Sequence, residues 1–155
     1  MREIIQLAAA FFGALGFALV FNLKGSSMLW SSLGGMLSWG VYLTAAIYFK
    51  GEGIRYFFAA LFLGLYAEVF ARLKKKPATV FLAVGFIPLI PGFSLYTTMH
   101  CALKNQRERF AFYGIQSLLI AGALASGIIV SLILFQLLKE FIKQFFEYFR
   151  KRFSK

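Results

Sequence analysis

The sequence predicts an all-α integral membrane protein. It has about five transmembrane helices, the fourth broken at Pro88, Pro91 and Gly92, and a C-terminal amphipathic helix. Three observations predict this. The 155 residues are 60% hydrophobic and only 15% charged, with a mean hydropathy of +0.73. Soluble domains carry roughly 45–50% apolar and about 25% charged residues. Apolar runs near the ~20 residues that span a bilayer recur along the chain. The net charge of +11 sits between those runs and in the tail, where lipid headgroups and the positive-inside rule place basic residues.

The first run is 4–23. Arg2 gives it the flank of a signal peptide. It is as long as a full span, however, and no small-x-small cleavage site with a polar region beyond it appears, so it reads as a retained helix. Lys24, Gly25 and Ser26 make a turn, and 28–49 is the second run, ended by KGEG. The third, 54–73, ends in three lysines and Pro77. The fourth stretch, 78–103, holds the breakers, and the charged loop 104–109 leads into 110–138.

The fourth stretch either crosses or turns back. If it crosses, Arg2, Lys50, Arg55, Lys104, Arg107 and Arg109 share one side, six cations against eleven on the other. That asymmetry puts the C-terminus in the cytoplasm and the N-terminus outside the cell membrane. A re-entrant hairpin gives eight against nine, which orients nothing. The asymmetry favours five crossings.

Residues 1–138 form the membrane domain and 139–155 a basic tail. There Leu138, Phe141, Ile142, Phe145, Phe149 and Phe153 share a helix face opposite most of the charges. This fits a helix lying on the cytoplasmic leaflet, with a partner-binding helix as the rival reading. Small residues four apart, Ser31/Gly35, Gly34/Ser38, Gly122/Ser126 and Ala123/Gly127, read as helix-packing positions. No internal repeat is visible, and many transporters are built from paired repeats.

Several function classes are excluded. The basic charge lacks the aromatic interleaving of an RNA or DNA module, so no nucleic-acid partner is expected. One cysteine, Cys101, forms no internal disulfide, and with His100 alone it makes no zinc site. No nucleophile elbow, zinc helix or phosphate loop appears, so no catalytic residue, metal or cofactor is assigned.

Two prolines three apart, followed by glycine, leave two readings. Pro removes a backbone donor and clashes with the carbonyl four residues back. One reading is a kinked, packed helix. The other is two half-helices meeting near the bilayer middle. In that reading, free N–H groups near Phe93 and Ser94 attract a carboxylate and freed carbonyls of Phe86 to Leu89 attract a cation. A zwitterionic amino acid presents both charges. Ser94, Tyr96, Thr97 and Thr98 add hydroxyls beside the break. Glu68 is an intramembrane carboxylate. It reads as an i,i+4 pair with Arg72, as a coupling group for protons or ammonium, or as both in turn. Asn22 reads as a helix-end residue or a pore-lining amide.

Gly16 to Asn22 (GFALVFN), LGGMLSW from Leu33, YAEVFAR from Tyr66, KPATVFLAVGFIPLIPG from Lys76 and YTTM from Tyr96 resemble the small subunit of the split threonine/serine exporter family. The resemblance runs from about Gly13 to Ser131 and centres on IPLIPG before tyrosine and TM. It implies proton-driven export of threonine and serine, with a larger membrane subunit supplying the missing half. Some split pairs of the family are assigned succinate export, which gives a dicarboxylate alternative. In a further alternative the chain is a structural subunit that supports a larger partner. A homo-oligomer would have to supply both halves itself. The residues that carry a site under the leading reading are Pro88, Pro91, Gly92, Phe93, Ser94, Tyr96 and Thr97 for substrate, with Glu68 and Arg72 for coupling. Phe93 departs from the small residues that relatives carry after PG, and the phenylalanine-rich tail lies outside the family pattern.

Overall fold

The computed structural model describes the backbone of residues 1–153 and the side chains of residues 1–140. The apolar tail positions from Phe141 onward therefore lie outside the described side chains. The described residues form helices and no strand. They are α1 (Arg2–Val20), α2 (Ser26–Tyr48), α3 (Glu52–Lys74), α4 (Ala78–Gly85), a single 3-10 turn (Ile87–Leu89), α5 (Gly92–Leu103) and α6 (Arg107–Phe153). Three of these are long and apolar enough to cross a membrane: α1, α3 and α6 through Glu140. At 23 residues α2 is long enough. It falls short on apolarity, because Ser26, Ser27, Ser31, Ser32 and Ser38 dilute it.

Adjacent helices joined by short turns run antiparallel. Leu7 faces Gly40 while Ala14 faces Gly35, so α1 and α2 oppose each other. Tyr42 packs on Tyr56 at 4.7 Å, and the Tyr66 hydroxyl donates to the Trp30 carbonyl at 2.8 Å, so α2 and α3 do too. α3 and α6 run parallel. Gln116 Nε2 donates to Glu52 Oε2 at 2.6 Å at one end. Midway, Gly127 lies against Phe57 and Ala60, and Gly64 against Ser131. At the other end the Arg72 guanidinium sits 4.0 Å over the Phe135 ring. Residue numbers rise together on both helices. The segment 75–106 therefore carries the chain back along the length of α3.

The return is made in two pieces. α4 packs on α2 and α3, while α5 packs on α6 alone among the described helices. The main core cluster joins Tyr56, Ala59, Ala60 and Leu63 of α3 to Leu89, Ile120 and Leu124. A second, smaller cluster joins Ala14 and Ala18 to Val84. Small residues set how closely the helices approach, as the spacing predicts, but not all of them are used. No atom lies near Gly122 within the chain, and Ser126 is exposed.

Three helix ends close alike. Asn22, Lys75 and Asn105 take left-handed φ values of 55°, 52° and 55°. In each case the next N–H reaches back five residues: Leu23 to the Ala18 carbonyl, Lys76 to Ala71, and Gln106 to Cys101. This is the Schellman closure, in which glycine normally takes the left-handed position. Asparagine tolerates that conformation, whereas lysine has no side-chain compensation for it. Lys75→Gly should therefore stabilise the chain against denaturant in micelles by roughly 0.5–1 kcal/mol. Asn22→Gly should do less. A lowered midpoint for Lys75→Gly would contradict the strain.

Candidate functional site

Pro88 and Pro91 leave the backbone no way to continue α4. Its last turn closes with the Phe86 N–H on the Leu82 carbonyl. The chain then tightens, with the Leu89 N–H on the Phe86 carbonyl at 2.9 Å and the Ile90 N–H on that of Ile87 at 3.3 Å. Gly92 N–H turns back on the Ile90 carbonyl at 2.7 Å, and α5 starts. Phe86 and Ile87, expected among the freed carbonyls, are thus engaged by the 3-10 turn. Among the described residues the Pro88 and Leu89 carbonyls have no backbone donor, and the Phe93 and Ser94 N–H groups no backbone acceptor. These unpaired groups bracket the break with opposite partial charges.

The break is seated by glycine. A Cβ on Gly35 of α2 would stand 3.1 Å from Ala14 Cβ, 3.3 Å from Pro88 Cγ and 3.5 Å from the Gly85 Cα. A Cβ on Gly85 would meet Leu63 Cδ1 at 2.5 Å. The backbones of α2 and α4 can therefore touch just where the helix stops. Leu89 points inward and is fully buried in the main core cluster. Nothing lies within 4 Å of the Gly92 position, so the break is packed on one side and open on the other.

The hydroxyls expected to line the break are arranged differently from one another. Ser94 is 7% exposed and turned toward α6. The Thr97 hydroxyl donates to the Phe93 carbonyl at 2.8 Å and that of Thr98 to Ser94 at 2.7 Å, so both are engaged within α5. Tyr96 is 69% exposed and stacks on His100 with ring centroids 6.0 Å apart. Phe93 is 75% exposed and meets Tyr113 edge-on at 6.2 Å, so its ring leaves the break rather than filling it.

Glu68 and Arg72 form the i,i+4 pair that their spacing permits. Arg72 Nη1 donates to Glu68 Oε2 at 2.8 Å and to the Glu68 carbonyl at 3.0 Å. The glutamate side chain is 19% exposed and the arginine 50%. Both continue the face of α3 that carries Gly64 toward α6. The break meets α3 instead at Leu63. The pair therefore sits beside the break across α3 and does not touch it. Asn22, also considered as a pore-lining amide, stands exposed at the end of α1, where its backbone closes the helix.

Sequence reading missed the part played by three residues. Gly35 and Gly85 bring α2 against the break, and Tyr66 ties α3 to α2 by filling the space over Gly34. Gly35 was legible as a packing residue, but nothing in the sequence names what it packs on. Among the described residues no group of three His, Cys, Asp or Glu side chains could hold a metal ion. A groove of about 540 Å³, lined by Glu52, Ile54, Phe112, Gln116 and Leu119, opens between α3 and α6 away from the break. Its lining is largely apolar, as expected of a surface within a bilayer.

The chain matches the family model described as Threonine/Serine exporter, ThrE, over residues 6–134. No solved structure matches it.

Proposed function

The chain belongs to the threonine/serine exporter family, and we propose that it is one subunit of a secondary transporter that moves threonine and serine out of the cell, driven by protons. Its apolar helices and its family place it in a membrane. The observation that carries the finer reading is the break itself. Unpaired N–H groups at Phe93 and Ser94 suit a carboxylate, and unpaired carbonyls at Pro88 and Leu89 suit an ammonium. An α-amino acid presents both of those charges. The parallel run of α3 and α6 supports a fourth crossing by 78–103, giving five crossings in all. The charge count then puts the Lys74 end of the bundle in the cytoplasm.

In this reading Pro88, Pro91, Gly92 and Ser94 shape the site. Phe93, Tyr96 and Thr97 line its open side, and Glu68 with Arg72 couples it to protons. A larger membrane subunit covers α5, which has one neighbour among the described helices and presents Gly92 to open space.

Glu68→Gln tests the coupling. The amide keeps the size of the side chain and loses the charge. An exposed i,i+4 pair contributes only about 0.3–0.5 kcal/mol, so a purely structural pair leaves threonine efflux from loaded cells near wild type. A coupling carboxylate instead predicts at least a tenfold loss of efflux and a flattened dependence on external pH. Wild-type efflux with an unchanged pH profile would remove Glu68 from the mechanism.

A further inference from the structure

The seam between α2 and α4 has a mouth at the Lys74 end. The two helices run parallel there: Gly35 meets Gly85 midway, and Trp30 and Phe81 both pack on Phe70, with ring centroids 4.8 Å and 6.2 Å from it. Parallel neighbours bring their N-termini, and the positive ends of their dipoles, to one place. Among the described residues, the N–H groups of Ser26 and Ser27 on α2 and of Ala78 and Thr79 on α4 have no acceptor. Neither helix has a side-chain cap or an acidic residue in its first turn. The helices that start at the opposite end, α1, α3 and α6, each carry one, at Glu3, Glu52 and Glu108. Lys24, Lys74, Lys75 and Lys76 border the mouth in sequence.

A side chain inside the seam points to the same conclusion. Ser31 is 0% exposed, and its Oγ has no hydrogen-bond partner. A buried hydroxyl in a helix ordinarily returns to its own backbone. Ser32 does so on the Met28 carbonyl at 2.9 Å, Ser38 on that of Gly35 at 2.9 Å, and Ser117 on that of Tyr113 at 2.9 Å. Ser31 lies one turn from Gly35 on the face that meets α4, and Ser27 lies one turn nearer the mouth. A buried polar atom without a partner is costly, and here it lies about one turn in from the two uncapped helix N-termini.

We propose that this mouth binds the carboxylate of a small amino acid, held by the free N–H groups of α2 and α4 and reached by the Ser31 hydroxyl, as the first station on the way to the break. The identity of the ligand rests on the exporter reading. The site itself rests on the seam. A phosphate, free or in a lipid headgroup, shares the anionic chemistry and is distinguished by the test.

Trp30 is the reporter, one residue from Ser31 and 5.4 Å from Lys74 Nζ. In the full chain carrying Trp39→Phe, L-threonine should change Trp30 emission saturably, and threoninol, which lacks the carboxylate, should not. Ser31→Ala should weaken the response at least fivefold and Ser32→Ala should leave it unchanged. The thermal midpoint of the unmutated chain should rise with threonine and not with threoninol. An equal response to threoninol, or an unchanged affinity in Ser31→Ala, would overturn the site. A tighter saturable response to inorganic phosphate would overturn its assignment to a carboxylate. Threonine efflux from cells carrying the unmutated chain reports the exporter reading separately. Efflux without any Trp30 response sinks the mouth alone. A Trp30 response without efflux keeps the mouth and sinks the exporter reading.

Discussion

Gly127→Leu should leave little or no folded protein in the membrane, and Gly127→Ala should already weaken it measurably. At this position α6 touches the backbone of α3. A Cβ would stand 2.6 Å from the Phe57 carbonyl oxygen, 2.9 Å from Ala60 Cβ and 3.1 Å from the Leu61 amide nitrogen. A flexible side chain could yield; two of these three atoms are backbone and cannot. The helices would have to part, and the loss would spread along the seam. Gly64 with Ser131 and the Arg72–Phe135 contact lie on the same line of approach. Overpacking a tight core typically costs about 1–3 kcal/mol, and a rigid backbone contact belongs at the upper end of that range. The measurement is the yield of monodisperse protein in detergent and its thermal midpoint, with Gly122→Leu as control. Nothing lies within 4 Å of Gly122, so that substitution should be tolerated within the chain. Equal yields for the two variants would mean that α3 and α6 do not meet as described.

The second large effect is expected at the break. Pro88→Ala combined with Pro91→Ala restores two amide donors and removes two ring clashes, each worth about 3 kcal/mol to a helix interior. α4 could then run straight into α5, with the N–H restored at position 91 free to reach the Ile87 carbonyl. α5 would swing away from α6, where Thr98 now stands 3.6 Å from a Cβ placed on Gly114. Two outcomes should appear together in a variant that still folds. Threonine efflux should fall at least tenfold. Disulfide formation between Thr98→Cys and Gly114→Cys, introduced with Cys101→Ser, should drop several-fold. Full efflux from a chain that has lost the cross-link would mean that the bend is structural and that substrate passes elsewhere.

The two kinds of signal in this sequence carried different amounts of structure. Helix limits followed from apolar length and from breakers. The expected runs start and end close to the observed helices, except that α6 starts earlier and runs on. The turn at Pro88 was legible because proline acts on its own backbone. Pairing was not. Gly127 and Gly34 each announce that something comes close, but a missing side chain carries no information about its partner, and one proves to meet Phe57 and the other Tyr66. Hydroxyl partners were hidden in a related way. Thr97 and Thr98 lie beside the break in sequence, yet each bonds one turn back along α5. Among the described residues, a fully buried hydroxyl without a partner is that of Ser31, within a stripe whose spacing speaks only of packing.

The parallel docking of α3 and α6 also constrains the order of assembly. When α3 has entered the bilayer, its Gly64 face has no partner, because Ser131 lies 67 residues further along the chain than Gly64. A hairpin would have delivered that partner at once. Here the 75–106 return must first be made and α5 placed before Gly127 and Ser131 can close the seam. The shallow notch left by Gly64 must wait, filled by lipid or by another protein, until Ser131 has been made. A ribosome arrested before Ser131 would therefore hold an intermediate with α1 to α3 packed and that notch exposed.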